Sequence, residues 1–418
     1  MTRLVRDRVS WLLYAQLGVF GYFLYGFGPV VPLLRHQLDI SRTVAGLYGP
    51  ALAVGTTIGG TLFPYLVRRL RVGGTLWTGL AGLTAGVALL CLLPSVAGTL
   101  AATVVAMTFG IIMVSGVSTA LTAHHGPAAA AAISEANALA AGMGLLAPLV
   151  IGAAVNAEIG WQPALAVAIA LACLLAVAAT LLGVRLTAAN PVAAPETAAD
   201  PVAASLTDGD PTPTPRRARR LPRRYWLAWA CLFATGSAEV CLSLWASEQL
   251  HEHAGLSRAA AAAGMSAVLV GMVAGRAAGG RLSLWLSTVS LLLGALGVAT
   301  AGFTVFWTAR TPWLAVTGLV LCGLGVSLHF PLGLTLTIQT SAGQPELAMA
   351  RNSYGMALGF GVAPFVLGAV ADRVGIGWAF LLVPACLAIA AATVWPLRRA
   401  SPTPASPVTS RPGGHWSG

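Results

Sequence analysis

Two long apolar blocks that repeat one another constrain this chain more than any other feature. Ser41, Arg42 and Ala45 recur as Ser257, Arg258 and Ala261, an offset of 216 (257 minus 41), and Gly55 and Gly59 recur as Gly271 and Gly275. Late in each block Ala147, Pro148, Val150 and Gly152 return as Ala363, Pro364, Val366 and Gly368, and Trp11 falls near Trp226. A spacing kept over such a length means one structural unit present twice, with equivalent segments placed equivalently. Between the copies, residues 186–224 run through Pro, Ala, Thr and Asp into an arginine cluster. They hold too few large apolar side chains to build a core, so a disordered linker is expected there.

A soluble chain carries about 25% charged residues, whereas this one carries 9%, with 57% hydrophobic residues and 48 glycines. Such a composition belongs in a bilayer. Crossing one takes roughly 20 apolar residues, and cutting the chain where Arg, Pro or Gly clusters interrupt gives twelve spans. They are residues 10–33, 44–67, 75–93, 97–121, 132–155 and 162–184 in the first copy. In the second they are 226–250, 260–280, 284–307, 312–335, 347–371 and 377–397. The expected fold class is an all-α integral membrane protein of twelve transmembrane helices in two pseudo-symmetric six-helix bundles. The bundles occupy residues 1–185 and 225–399, the linker is cytoplasmic, and residues 400–418 form a disordered cytoplasmic tail.

The net charge of +11 would suit a nucleic-acid binder if the basic residues made one face, but they stand at the ends of apolar segments. With both termini cytoplasmic, only Arg35, Arg42, Arg258, Arg310 and Arg373 remain for the outer side, the asymmetry that the positive-inside rule requires. All 24 basic residues are arginine. The absence of lysine excludes a Walker A nucleotide site, a Schiff base and a lysine general base. Six cysteines stand singly in apolar segments, and no His or Cys is spaced to share a metal, so no metal and no cofactor are expected. His251, Glu252 and His253 supply too few ligands for a metal on a solvated loop. Arg3, Arg6 and Arg8 precede an apolar run too long for a secretory signal, which reads as the first span.

Twelve spans in two parallel halves around a cytoplasmic linker resemble the major facilitator superfamily of secondary transporters. The superfamily's loop signature between spans two and three is Gly, three residues, Asp-Arg, one residue, Gly and paired basic residues. Here GTLFPYLVRR keeps Gly60, Arg68 and Arg69, and GRAAGGRL in the second copy keeps Arg276, Gly279, Gly280 and Arg281, both without the acid. A literal copy, Gly368, Asp372, Arg373 and Gly375, stands at the outer end of span eleven, where the inner-loop role does not apply. Span five contains GMGLLAPLVIG, similar to the glycine-proline signature of the superfamily's drug antiporters with Ala147 before Pro148, which leans toward efflux. Gly142, Gly144 and Ala147 also fit a dinucleotide fingerprint, but no strand precedes them.

Ionisable side chains inside a bilayer usually face a cavity or a partner. Glu239 is the deepest acid, about 20 Å along span seven, and is expected to be the coupling or substrate-binding carboxylate, with Thr235, Ser243 and Ser247 at steps of four on its face. His329, mid-span, would bind solute, relay a proton, or serve as a buried structural histidine. Tyr14, Gly18, Tyr22, Tyr25, Pro29 and Pro32 form one seam on span one; Tyr22 and Tyr25 would contact solute, or the seam would seat a neighbouring helix. The glycine pairs 55 and 59, 271 and 275, and 355 and 359 would let helices approach on spans that, by resemblance, line the moving interface between the halves. Glu135 and Arg351, again 216 apart, would pair as a cytoplasmic gate when the inner side closes, with Arg276 as an alternative partner for Glu135.

The function expected is secondary active transport of a small organic solute across the inner or plasma membrane by alternating access, proton-coupled and acting in efflux. The protein would work as a monomer in lipid, without nucleic acid. A solute importer, a non-transporting receptor and a membrane enzyme are the alternatives; no nucleophile, base and orienter constellation supports the last.

Overall fold

The computed structural model describes residues 6–183, 220–283 and 285–400. Residues 186–219 of the expected linker and the expected tail beyond Ala400 therefore lie outside the described residues. The first copy forms α1 (Arg8–Gln37), α2 (Arg42–Gly46), α3 (Tyr48–Leu92), α4 (Val96–His125), α5 (Ala129–Asn156) and α6 (Gln162–Leu181). The second forms α7 (Arg223–Glu252), α8 (Arg258–Gly264), α9 (Ser266–Leu282), α10 (Thr288–Thr308), α11 (Pro312–Val326), α12 (His329–Gln339), α13 (Pro345–Val374), α14 (Ile376–Ala379) and α15 (Leu382–Val394).

Eleven stretches are long and apolar enough to cross a membrane, and one of them, Arg42–Leu92, holds two crossings. Its 51 residues would reach about 76 Å as a straight helix, more than twice the hydrocarbon thickness. Arg71 leaves the helical region (φ 58, ψ 174) and divides it where spans two and three were expected to part. Twelve crossings result, and the short helices are pieces of spans: α2 leads into α3, α8 into α9, α11 into α12 and α14 into α15. Start signals are duplicated with the sequence. Ser41 caps α2 by accepting from Val44 N, and its repeat partner Ser257 caps α8 by accepting from Ala260 N. Along the spans, threonine hydroxyls donate back to carbonyls one turn earlier, as in Thr57 to Ala53 and Thr103 to Thr99, so they present no open donor to lipid.

α7 begins at Arg223, and Leu221 before it is buried against Tyr225 and Ala348. The last residues of the expected linker are thus part of the second bundle. Exposed tryptophans mark the two membrane boundaries: Trp11, Trp226, Trp285 and Trp395 at the end that holds the chain termini, Trp313 and Trp378 at the opposite, distal end. Many Leu and Val side chains between those belts are exposed, as a lipid-facing surface requires.

The glycine pairs singled out in the sequence pack inside the halves. Gly55 sits against Met107, Gly271 against Leu324 and Gly355 against Trp229. The crossings between halves use other glycines. Gly46 and Gly49 meet Phe365 and Pro364, Gly152 meets Ala259 and Ala263, Gly28 meets the Ser243 carbonyl, and Gly368 meets the Arg42 carbonyl. At Gly152 a Cβ would stand 2.6 Å from the Ala259 carbonyl oxygen, so the two backbones touch there and no side chain fits between them. Gly152 and Gly368 are repeat partners, and so are the helices they meet: one crossing appears twice, α5 on α8 and α13 on α2.

Candidate functional site

Glu239 stands near the middle of α7, sixteen residues after Arg223 and thirteen before Glu252, hence about 20 Å or more from either helix end. The other described acids stand within two turns of a helix end or beyond it. An ionised carboxylate facing lipid at that depth would cost about 2.5–3.5 kcal/mol, and Glu239 instead lines a cavity between the halves. Leu24, Tyr25 and Gly28 of α1 form one wall, Glu239, Leu242 and Ser243 of α7 the second, and Met265, Leu269 and Met272 the third. Arg276, one turn further along α9, is close enough for its charge to act on both Tyr25 and Glu239. Tyr25 is seated against the bare backbone of Gly144 on α5. The resulting cluster is one carboxylate, one guanidinium, one phenol and one hydroxyl in an otherwise apolar niche. Its volume is about 30 Å³, room for water and not for an organic solute.

The remaining residues expected at this site are elsewhere. Tyr22 is buried on the side of α1 that faces α6, where its hydroxyl donates to the Ala164 carbonyl at 2.7 Å. Thr235 is buried, its hydroxyl bonded back to the Cys231 and Leu232 carbonyls. His329 opens α12 at the break in span ten and is 1% exposed inside the second half, with neither ring nitrogen bonded. Sequence spacing places these residues on polar stripes but does not say which neighbouring helix each stripe faces.

At the terminal end Glu135 does not meet Arg351. It takes a two-point ion pair from Arg6 (2.9 and 2.5 Å) and a 3.3 Å hydrogen bond from Tyr14. Beside it Asp7 bonds Ser10 and His124; partial burial would raise the Asp7 pKa, but the bonds from Ser10 and His124 hold it below the usual carboxylate range. Arg351 and Arg276 are both exposed, and neither holds Glu135 here.

The hydrogen bonds and ion pairs that join the halves gather, among the described residues, toward the distal end. Asp372 of α13 accepts from the backbone N–H groups of Arg42 (2.9 Å) and Thr43 (2.7 Å) and from the Thr43 hydroxyl (2.6 Å). The Arg42 guanidinium binds Glu248 at 2.7 Å and also Glu252, and Arg35 reaches Glu248 at 3.0 Å. Ser266 donates to the Leu145 carbonyl across the second crossing. The displaced Gly-x-x-x-Asp-Arg-x-Gly stretch therefore has a place: Gly368 admits the α2 backbone and Asp372 fastens it. The sequence held this signal, but only the contact across the halves gives it meaning. The halves are thus fastened at the distal end, and among the described residues no such bond joins them at the terminal end.

A family model described as Major Facilitator Superfamily matches residues 13–346. The chain belongs to the Major Facilitator Superfamily. Superfamily members also head the structural likenesses. A bacterial homologue of the human lysosomal transporter Spinster, inward-facing and occupied, superposes with a TM-score of 0.72 at 14% identity over 96% of this chain and 100% of that one. The nucleoside transporter NupG gives 0.71 at 11% identity, covering 94% of this chain and 98% of that one. Among curated proteins, an uncharacterized MFS-type transporter of Pseudomonas aeruginosa is 34% identical over 94 residues, which is 22% of this chain and 23% of the relative. The match thus spans under a quarter of the curated relative's length, and the structural neighbours, at such low identity, fix the fold alone. The superfamily is one of transporters and not of enzymes.

Proposed function

We propose that the chain is a proton-coupled secondary transporter that exports a small organic solute, with Glu239 as its coupling carboxylate. The observation that carries this reading is the placement of Glu239 at mid-membrane, on the cavity between two halves that are fastened at one end only. A carboxylate there is exposed first to one side and then to the other as the halves rock, which lets one proton move against one solute. Arg276 supplies a positive charge near Glu239 and Tyr25 a hydroxyl in the same cavity. The export direction rests on the resemblance of GMGLLAPLVIG in α5 to the antiporter signature; in the fold this stretch is where α5 meets Tyr25 and the second half.

Arginine asymmetry supports a cytoplasmic position for the terminal end and the linker, in the inner or plasma membrane; on that reading the fastened distal end faces outward and the structure is inward-open. Inverted membrane vesicles test direction and orientation together. An imposed inside-acid gradient should drive solutes from an organic-solute panel into them, and a thiol placed at Arg217 should react with an impermeant reagent added outside them. Gradient-driven loss of solute would make the chain an importer, binding without flux a receptor, and an unreactive thiol would reverse the orientation.

A further inference from the structure

The duplication has left one arginine without the acids that its twin has. Arg42 is held by Glu248 and Glu252; subtracting the 216 offset from each acid and adding it to Arg42 gives Pro32, His36 and Arg258 as the equivalent trio. All three line one distal vestibule of about 270 Å³, which opens just beyond the central cavity between α1, α7 and α8. Where two carboxylates fill the first position, a proline and a histidine leave a cavity at the second, and Arg258 has no ion-pair or hydrogen-bond partner among the described residues.

The vestibule wall also carries polar atoms that the protein leaves unused. Ser247 is 5% exposed and Glu248 is 3% exposed, yet the Ser247 hydroxyl and the second Glu248 oxygen have no partner, nor does Nε of Arg35. Buried polar groups are ordinarily bonded, so those left open here are free to bond a ligand. The open groups are of both kinds: Arg258, His36 and Arg35 Nε can donate, and Glu248 can accept. Formal charges balance, with Arg35, Arg42 and Arg258 against Asp39, Glu248 and Glu252. A lone anion would leave the second oxygen of Glu248 without a donor, and a lone cation would meet Arg258.

We propose that this vestibule is a second binding site, for a small zwitterion of the α-amino-acid kind, its carboxylate on Arg258 and its ammonium on the free oxygen of Glu248. Ser247 bonds the same ligand, and Pro29, Pro32, Leu33, Ala261 and Ala262 form an apolar wall for a short side chain. The cavity is below the roughly 300–1,000 Å³ of drug-sized sites, in keeping with a small ligand. This site is separate from Glu239 and does not depend on what the central cavity carries.

The test is calorimetric titration of the purified full chain with L-alanine, L-leucine and L-methionine, and with acetate and methylammonium as single-charge controls. At least one amino acid should bind one-to-one, and neither control should bind at the same concentrations. Arg258→Gln, at an exposed position that folding does not depend on, should weaken binding at least tenfold, Ser247→Ala a few-fold, and Glu239→Gln not at all. The site is refuted if none of the three amino acids binds, if acetate binds as well as they do, if Arg258→Gln leaves affinity unchanged, or if Glu239→Gln alone removes it.

Discussion

Glu239→Gln should reduce solute flux driven by a pH gradient to background while leaving gradient-free solute exchange within about twofold of the wild type. The amide keeps the size and polarity of the side chain in the cavity beside Tyr25, but it cannot gain or lose a proton. If proton movement and solute movement are joined through this carboxylate, only the step that needs the proton is lost. Counterflow in proteoliposomes checks the exchange limb and an imposed gradient the driven limb. Loss of both limbs with weakened binding would make Glu239 a solute contact, and wild-type behaviour in both would remove it from the site.

Asp372→Asn should loosen the distal closure. Hydrogen bonds to a charged group contribute about 1.5–3 kcal/mol each, and Asp372 makes three, two of them to backbone N–H groups of the other half. Weakening them should move the balance from distal-closed toward distal-open by roughly tenfold or more. A cysteine pair reads that balance directly. The Cβ built at Gly361 lies 3.4 Å from that of Ala53 across the halves, close to the roughly 3.5–4.5 Å of a disulfide. Ala53→Cys with Gly361→Cys should cross-link readily in the wild-type background and several-fold more slowly with Asp372→Asn. Asp372→Glu should restore part of the rate, which separates loosening from misfolding. The repeat partner of Asp372 is Asn156, at the end of α5 beside α8, where no such bond forms. Asn156→Asp should add a second fastening and raise the cross-linking rate. Equal rates in all four backgrounds would mean that Asp372 does not hold the closure.

The spans and their duplication were legible because they follow from composition and period, which are local properties. Hydropathy separated spans two and three at the place where Arg71 leaves the helical region and divides the stretch. The depth of Glu239 was legible for the same reason, since residue count along a helix is distance. What the sequence could not show is the direction of each stripe. Tyr22 and Tyr25 are neighbours on one seam, yet one bonds Ala164 on α6 and the other lines the cavity. Thr235 and Ser243 lie on either side of Glu239 in one series, but only Ser243 reaches the cavity. Partner choice was equally hidden. Glu135, expected to meet Arg351 only when the inner side closes, is taken in this state by Arg6, just ahead of the first helix, which the repeat did not indicate. The role of Asp372 depends on an approach between residues 330 apart in the chain, which no local pattern records.

Alternating access requires that the two ends move in opposite senses, and paired spin-label distances test this most directly. One pair belongs at the distal end, Glu158→Cys with Arg310→Cys, and the other at the terminal end, Thr122→Cys with Thr340→Cys, both in a Cys173→Ser background because Cys173 is exposed. Under conditions that release the distal closure, such as the Asp372→Asn substitution, the distal distance should lengthen while the terminal distance shortens. Two distances that stay fixed, or that lengthen together, would contradict a carrier whose halves rock about the Glu239 cavity.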